Sequence, residues 1–195
     1  AGGLAVTRAS RHYAYEVLGP LASLVVAVAR RGYPAALELR DGWPETPLAL
    51  AMPQDAFVRY AFTAATLRHR FAEHPFRRYG YAVRERDGVA DGLIVYRDTS
   101  LRGMPAVSLL AAYGDDRAGL LGGFAASLRN RGRHVVHVVI APDSPLRRDL
   151  AAIGPVVQSP VSRNPYHLIT RALQADTPAC LFDLARWDAM GGDIL

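Results

Sequence analysis

Lysine is missing from all 195 residues, so each of the 23 basic residues is an arginine. That absence excludes lysine Schiff-base chemistry and any phosphate loop built on a lysine. A single cysteine, Cys180, excludes an internal disulfide framework and points to a reducing compartment, with the cytoplasm as the expected location. Long apolar runs are missing too. The longest, Leu21 to Ala29, falls far short of the roughly 20 residues a membrane helix needs, and it lies between Pro20 and the pair Arg30 and Arg31. Arg8, Arg11, His12 and Glu16 precede that run and no clean cleavage pattern follows it, so the run does not read as a signal peptide. The chain opens on Ala1 instead of methionine and reads as a processed product or a piece of a longer protein.

What is present is an ordinary globular composition, 50% hydrophobic and 21% charged, long enough for one domain with a core and an appendage. The net charge of +5 is spread over arginines in ones and twos. A nucleic-acid partner is therefore not expected, nor a membrane partner, and an arginine-rich, lysine-free chain fits a GC-rich genome.

In chain order, residues 1–9 read as a tail or short strand and residues 10–31 as a helix bent at Gly19 and Pro20. Ala35 to Arg40 alternates like a strand, and Asp41 to Pro53 is a proline-rich loop around Trp43 with a short strand at Leu48 to Ala51. A long helix is expected from Asp55 through Leu67 and Phe71 to His74-Pro75. Tyr79 to Arg86 and Gly92 to Tyr96, joined by Asp87-Gly88-Val89-Ala90-Asp91, read as a hairpin, and Asp98 to Pro105 as a loop. Two units follow: 1–53, an N-terminal helix, strand and linker, and 54–195, the main domain with a C-terminal tail.

The centre of the main domain is a strand, crossover helix, strand unit from Ala106 to Val161. An apolar strand ends at Tyr113-Gly114-Asp115-Asp116, where either aspartate suits the free amides and positive end of a helix. Leu120, Leu121, Phe124, Ala125 and Leu128 give that helix an apolar face, and Gly132 stops it. The next strand is His134 to Ile140. Gly119, Gly122 and Gly123 in the first turns either cradle a phosphate or let the helix lie close to the sheet. A proline-started helix, Leu146 to Ile153, and strands at 155–161 and 166–173 complete the order.

This order, helix, hairpin, strand, turn, helix, strand, short helix, strand pair, resembles the GNAT superfamily of acyl-CoA-dependent N-acyltransferases over about residues 55–173. Leu67, Arg70, Phe71, His74, Pro75 and Tyr79, with Arg186-Trp187-Asp188 and Gly192-Asp193, resemble more closely the C-terminal module of bacterial two-module GNAT and Fem-type proteins. The resemblance implies an α/β (α+β) fold with a mixed central sheet of about six to seven strands flanked by helices. It implies a pantetheine arm of acetyl-CoA or another acyl-CoA along Leu109 to Tyr113, with Leu110 and Ala111 as cofactor contacts and a bulged amide near one of them as the candidate oxyanion donor, and a pyrophosphate on Arg117, Gly119, Gly122 and Gly123. Starting the family's pyrophosphate motif at Arg117 puts Leu120 where its first glycine belongs. The strand Ala106 to Ala112 has no acid and the helix Leu146 to Ile153 no tyrosine, where members of the family keep their general base and acid.

Acyl transfer from a thioester to an amine needs an oxyanion donor and routes for two protons. Tyr113, Asp115 and Asp116 are the catalytic candidates, with helix capping as the other role of the aspartates. Arg70, His74, Arg163, Asn164 and Tyr166 are the substrate-binding candidates, with an ion-pair network around Glu73 as the other role of the first two. His137 and His167 are expected on neighbouring strands, as a base, a metal pair or packed side chains; no metal site is assigned. The expected function is N-acyl transfer to a small amine of the amino-sugar or amino-acid type. The alternatives are a non-catalytic GNAT-like module completing a second module or a homodimer, and a Fem-type transferase drawing on aminoacyl-tRNA.

Overall fold

The computed structural model describes residues 4–15, 35–51, 57–60, 62–101, 103–133, 135–140, 144–150, 153–154, 156–158, 166–171, 178–183 and 186–188. Its strands are β1 (Leu4–Tyr15), β2 (Glu38–Arg40), β3 (Gly80–Arg86), β4 (Val89–Leu101), β5 (Met104–Gly114), β6 (Val135–Ile140), β7 (Val156–Gln158) and β8 (Tyr166–Arg171). Its α-helices are α1 (Ala64–Leu67), α2 (Arg117–Asn130) and α3 (Leu146–Asp149). The architecture is mixed α/β. Five strands in the order β2-β3-β4-β5-β6 are antiparallel except for the parallel pair β5–β6. Antiparallel β1 follows β6, and β7 and β8 both join through β1. Six to seven strands were expected; the described residues give this run of five and three more around β1.

The β3–β4 hairpin turns on Asp87-Gly88, both at positive φ (51° and 76°), the type I′ geometry that matches the twist of paired strands. Asp98 to Pro105, expected as a loop, is instead the continuation of β4 and β5 into a second hairpin, with Leu101 opposite Met104 and Gly103 at φ 81°. Polar residues on this outer part hide the strand period, and the ladder forms because the inner registers already align the two chains.

Two expected helices are corrected. Residues 10–15, read as the start of a helix, belong to β1 and pair with β6 from Ser10–Ile140 to Tyr15–Val135. The rest of that expected helix lies outside the described residues. The helix from Asp55 starts later: Asp55 is outside the described residues, while 57–60 are extended, and Val58 exchanges backbone hydrogen bonds with Arg186 and Asp188. Helix begins only where Thr63 and Thr66 cap each other reciprocally. After Leu67 it widens into a π-type turn over Arg68–Ala72, which keeps Leu67 and Phe71 buried.

α2 is capped by Asp116, whose Oδ1 accepts from the Gly119 amide at 2.9 Å, and closes on Gly132 at φ 67°. Its Leu120, Leu121, Phe124 and Leu128 are buried against the sheet, with Phe124 5.2 Å from the Tyr96 ring. Ser127 Oγ donates to the Leu37 carbonyl at 2.6 Å, tying the chain before β2 onto the helix. α3 spans only Leu146–Asp149, and Ser144 Oγ accepts from its Leu146 amide. β1 and β2, both within the expected N-terminal unit 1–53, are hydrogen-bonded into the same sheet as the main domain. No helix among the described residues is long and apolar enough to cross a membrane.

Candidate functional site

The junction of β5, β6 and α2 carries the site. Along β5, Val95 pairs with Ala111 and Tyr96 with Leu109, so Leu110 is the extra residue of a bulge. The parallel ladder between β5 and β6 holds from Ala106–Val135 to Leu109–Val138 and goes no further, although both strands continue. The bulge therefore sits where the strands part. Leu110, Ala111 and Ile140 around the opening are buried. Such a bulge turns a backbone amide out of the ladder, at the place where one was expected near Leu110 or Ala111 as an oxyanion donor.

At the end of β5 the two aspartates hold structural positions. Asp116 caps α2, and a Cβ on Gly119 would fall 2.0 Å from its Oδ2, so the glycine is what admits the cap. Asp115 Oδ1 accepts from its neighbour's amide at 2.7 Å and from Arg84 Nη2 at 2.7 Å. Those bonds, the Asp116 amide first and Arg84 second, hold the Asp115 carboxyl below its ordinary value and make it a weak base. Arg84 also donates to Asp91 at 2.7 Å and lies 3.6 Å from Asp116. Tyr113 packs its ring edge-on against Phe62, 5.5 Å away.

Arg117, expected on a pyrophosphate, turns instead onto two carboxylates, Asp149 at 2.6 Å and Asp188 at 2.8 Å. Asp188, its side chain only 2% exposed, also pairs with Arg59 at 2.8 Å and accepts from Ser144 Oγ at 2.5 Å. Burial pushes the Asp188 carboxyl up, but the charges of Arg117 and Arg59 and the bonds from Ser144 and Arg117 outweigh it and hold it below its ordinary value. This cluster locks the 186–188 segment to the starts of α2 and α3. Gly122 is buried, and a Cβ on Gly123 would lie 2.7 Å from the Ala35 carbonyl, so Gly123 serves the close approach of residues 35–37.

Of the expected substrate contacts, Arg70 stacks 5.8 Å from both the Phe62 and Phe71 rings, and His74 packs 5.9 Å from Tyr79 while its Nδ1 accepts from the Phe76 amide. Glu73 pairs with Arg68 and His69. Arg163 and Asn164 lie outside the described residues, and Tyr166 opens β8 opposite Ala9. His137 and His167 are not on neighbouring strands: β1 runs between, pairing Tyr13 with His137 and Arg8 with His167. Five residues of β1 separate the two pairs, about 17 Å at the rise of a strand.

Sequence reasoning missed Arg84 and Arg59, whose bonds to Asp115 and Asp188 give no local signal because those partners are 31 and 129 residues away. It also missed Ser108, whose Oγ lies 3.2 Å from Nδ1 of His137 on the adjacent strand. No family model, curated protein or solved structure matches this chain, and its chemistry is therefore inferred from the geometry above.

Proposed function

We propose that this protein is a GNAT-like N-acyltransferase that moves an acyl group from acetyl-CoA or another acyl-CoA to a small amine of the amino-sugar or amino-acid class. One observation carries the reading: the Leu110 bulge coincides with the end of the β5–β6 parallel ladder. A sheet parted at a bulge offers outward amides to a thioester carbonyl and a slot for an extended pantetheine arm, which binds by strand-like hydrogen bonds. The direct test is thermal unfolding with and without millimolar acetyl-CoA, since a ligand that binds only the folded state raises the midpoint. A rise of several degrees supports the reading, and thiol release with an amine acceptor completes it.

The start of α2 favours a second reading, a non-catalytic GNAT-like module completing a partner module or a second copy. Arg117 is spent on Asp149 and Asp188, Asp116 occupies the Gly119 amide, and the residues around the opening are buried. An unchanged midpoint with acetyl-CoA would select this reading. The Fem-type alternative predicts salt-sensitive binding of tRNA, and gel-shift at two salt concentrations decides it.

A further inference from the structure

The even spread of charge that argues against a membrane partner breaks down at residues 68–78. This segment holds four arginines and two histidines against one acid, Glu73, and so carries more than half of the net +5. Glu73 is taken up by Arg68 at 3.5 Å and His69 at 3.2 Å. Arg77 and Arg78 are exposed and have no carboxylate partner among the described residues. Immediately before them stands Phe76, 90% exposed. The other exposed large apolar side chain among the described residues, Tyr60, is 38% exposed and packs on Phe62 and Trp187.

A lone exposed aromatic is ordinary on a protein surface, but this one is held out on a fixed base. The Phe76 amide donates to His74 Nδ1 at 3.2 Å, and the His74 ring meets Tyr79 edge-on at 5.9 Å. Tyr79 in turn packs edge-on against Phe71 at 5.3 Å, and both of these are buried. The loop is therefore braced from the core outward, with an apolar ring and two free cations at its tip. We infer that this loop is a contact for an anionic membrane surface, with the Phe76 ring entering the headgroup boundary and Arg77 and Arg78 pairing with lipid phosphates and carboxylates.

The shape of the tip selects this occupant. Single-stranded nucleic acid stacks on aromatics that line a groove, and a protein partner needs further apolar surface around its anchor residue. A ring 90% exposed lines no groove, and the two residues that follow it are exposed arginines. A bilayer boundary needs neither groove nor patch. Apolar insertion and attraction to anionic lipid add to each other there, and a single ring with a few cations gives a weak, reversible contact. This inference is independent of the acyltransferase reading.

The test mixes the full chain with vesicles of phosphatidylcholine, alone or with about 40% phosphatidylserine, and measures the co-sedimenting fraction at low and at high salt. Binding is expected to the anionic vesicles alone, and to weaken at high salt. Phe76→Ala is expected to lower the partition about tenfold. Arg77→Ser with Arg78→Ser is expected to lower it about 25-fold at low salt, at about fivefold per cation. Arg147→Ser with Arg148→Ser removes another exposed pair, on α3, and is expected to leave the partition nearly unchanged. Phe76→Trp is expected to add an emission, beyond that of Trp43 and Trp187, that acyl-chain-brominated lipid quenches. All these side chains are exposed, so each variant should melt as the wild type does.

No partition to the anionic vesicles would overturn the inference. So would equal losses from the two arginine pairs, because net charge alone would then account for the binding, and so would a Phe76→Trp emission that brominated lipid leaves unquenched. Single-stranded RNA binding that needs Phe76 and Arg77, without vesicle binding, would overturn it in favour of a nucleic-acid contact.

Discussion

Asp188 shows how one side chain can hold three parts of a chain at once. Its carboxylate, buried with Arg59, Arg117 and Ser144, is compensated only as a set, and removing one member of a buried pair costs about 3–5 kcal/mol because a charge is left uncompensated. Asp188→Asn is expected to lower stability by that amount, read as the urea midpoint at pH 7. Because the folded carboxyl is held below its ordinary 3.8, its contribution is full above that value and drains away as the pH falls through the lower folded value. Wild-type stability should therefore drop on acidification below about 4, and the drop should be shallower in the variant. Asp116 makes a second residue-scale prediction. Asp116→Asn keeps a capping oxygen but removes a negative charge from the place a pyrophosphate would occupy, so the acetyl-CoA thermal shift should grow. An unchanged or smaller shift would remove the pyrophosphate from the start of α2. The cap itself was legible in the sequence, because a cap needs only a residue and the amides three positions on. The bond between Arg84 and Asp115 and the partnerships of Asp188 were not, because they join distant segments.

At the scale of elements, α2 is the most legible piece: its cap, apolar positions and glycine stop all act within a few residues. What the glycines do was open between phosphate cradle and close packing. For Gly123 the structure supplies packing, with the Ala35 carbonyl where a Cβ would go, and Gly123→Ala is expected to destabilise by about 1–3 kcal/mol because backbone must move. A thermal melt reads this directly, and a neutral result would mean that residues 35–37 sit off the helix. α1 and β1 show the opposite case. Their sequences carry adequate helical spacing, yet 57–60 are held extended by the 186–188 segment and 10–15 by β6. Intrinsic propensity, at a few tenths of a kcal/mol per residue, yields to a ladder of hydrogen bonds.

For the whole molecule, β1 is the strand on which the far half of the sheet depends, since it covers β6 and carries β7 and β8. Deleting residues 1–15 would bare the edge of β6 and remove the partner that β7 and β8 have among the described residues. Such an edge invites intermolecular pairing, so the truncated chain is expected to lose its cooperative melt and to aggregate by light scattering. Residues 1–15 added as a peptide should restore the melt. A truncated chain that stays monomeric and melts cooperatively would show that β1 is dispensable.

The sequence by itself determined the class of chemistry that is excluded, the mixed α/β order of the central unit, the pairing of β3 with β4 as a hairpin and the capped helix after β5. These follow from composition or from contacts within a turn or two of the chain. Only the tertiary structure decided that the first strand continues through residues 10–15, that β5 and β6 part at Leu110, that Arg117 is tied to Asp149 and Asp188, and that Ser108 meets His137. Each of these depends on which segments lie side by side, and strand pairing and buried charge couple residues whose separation along the chain carries no local signal.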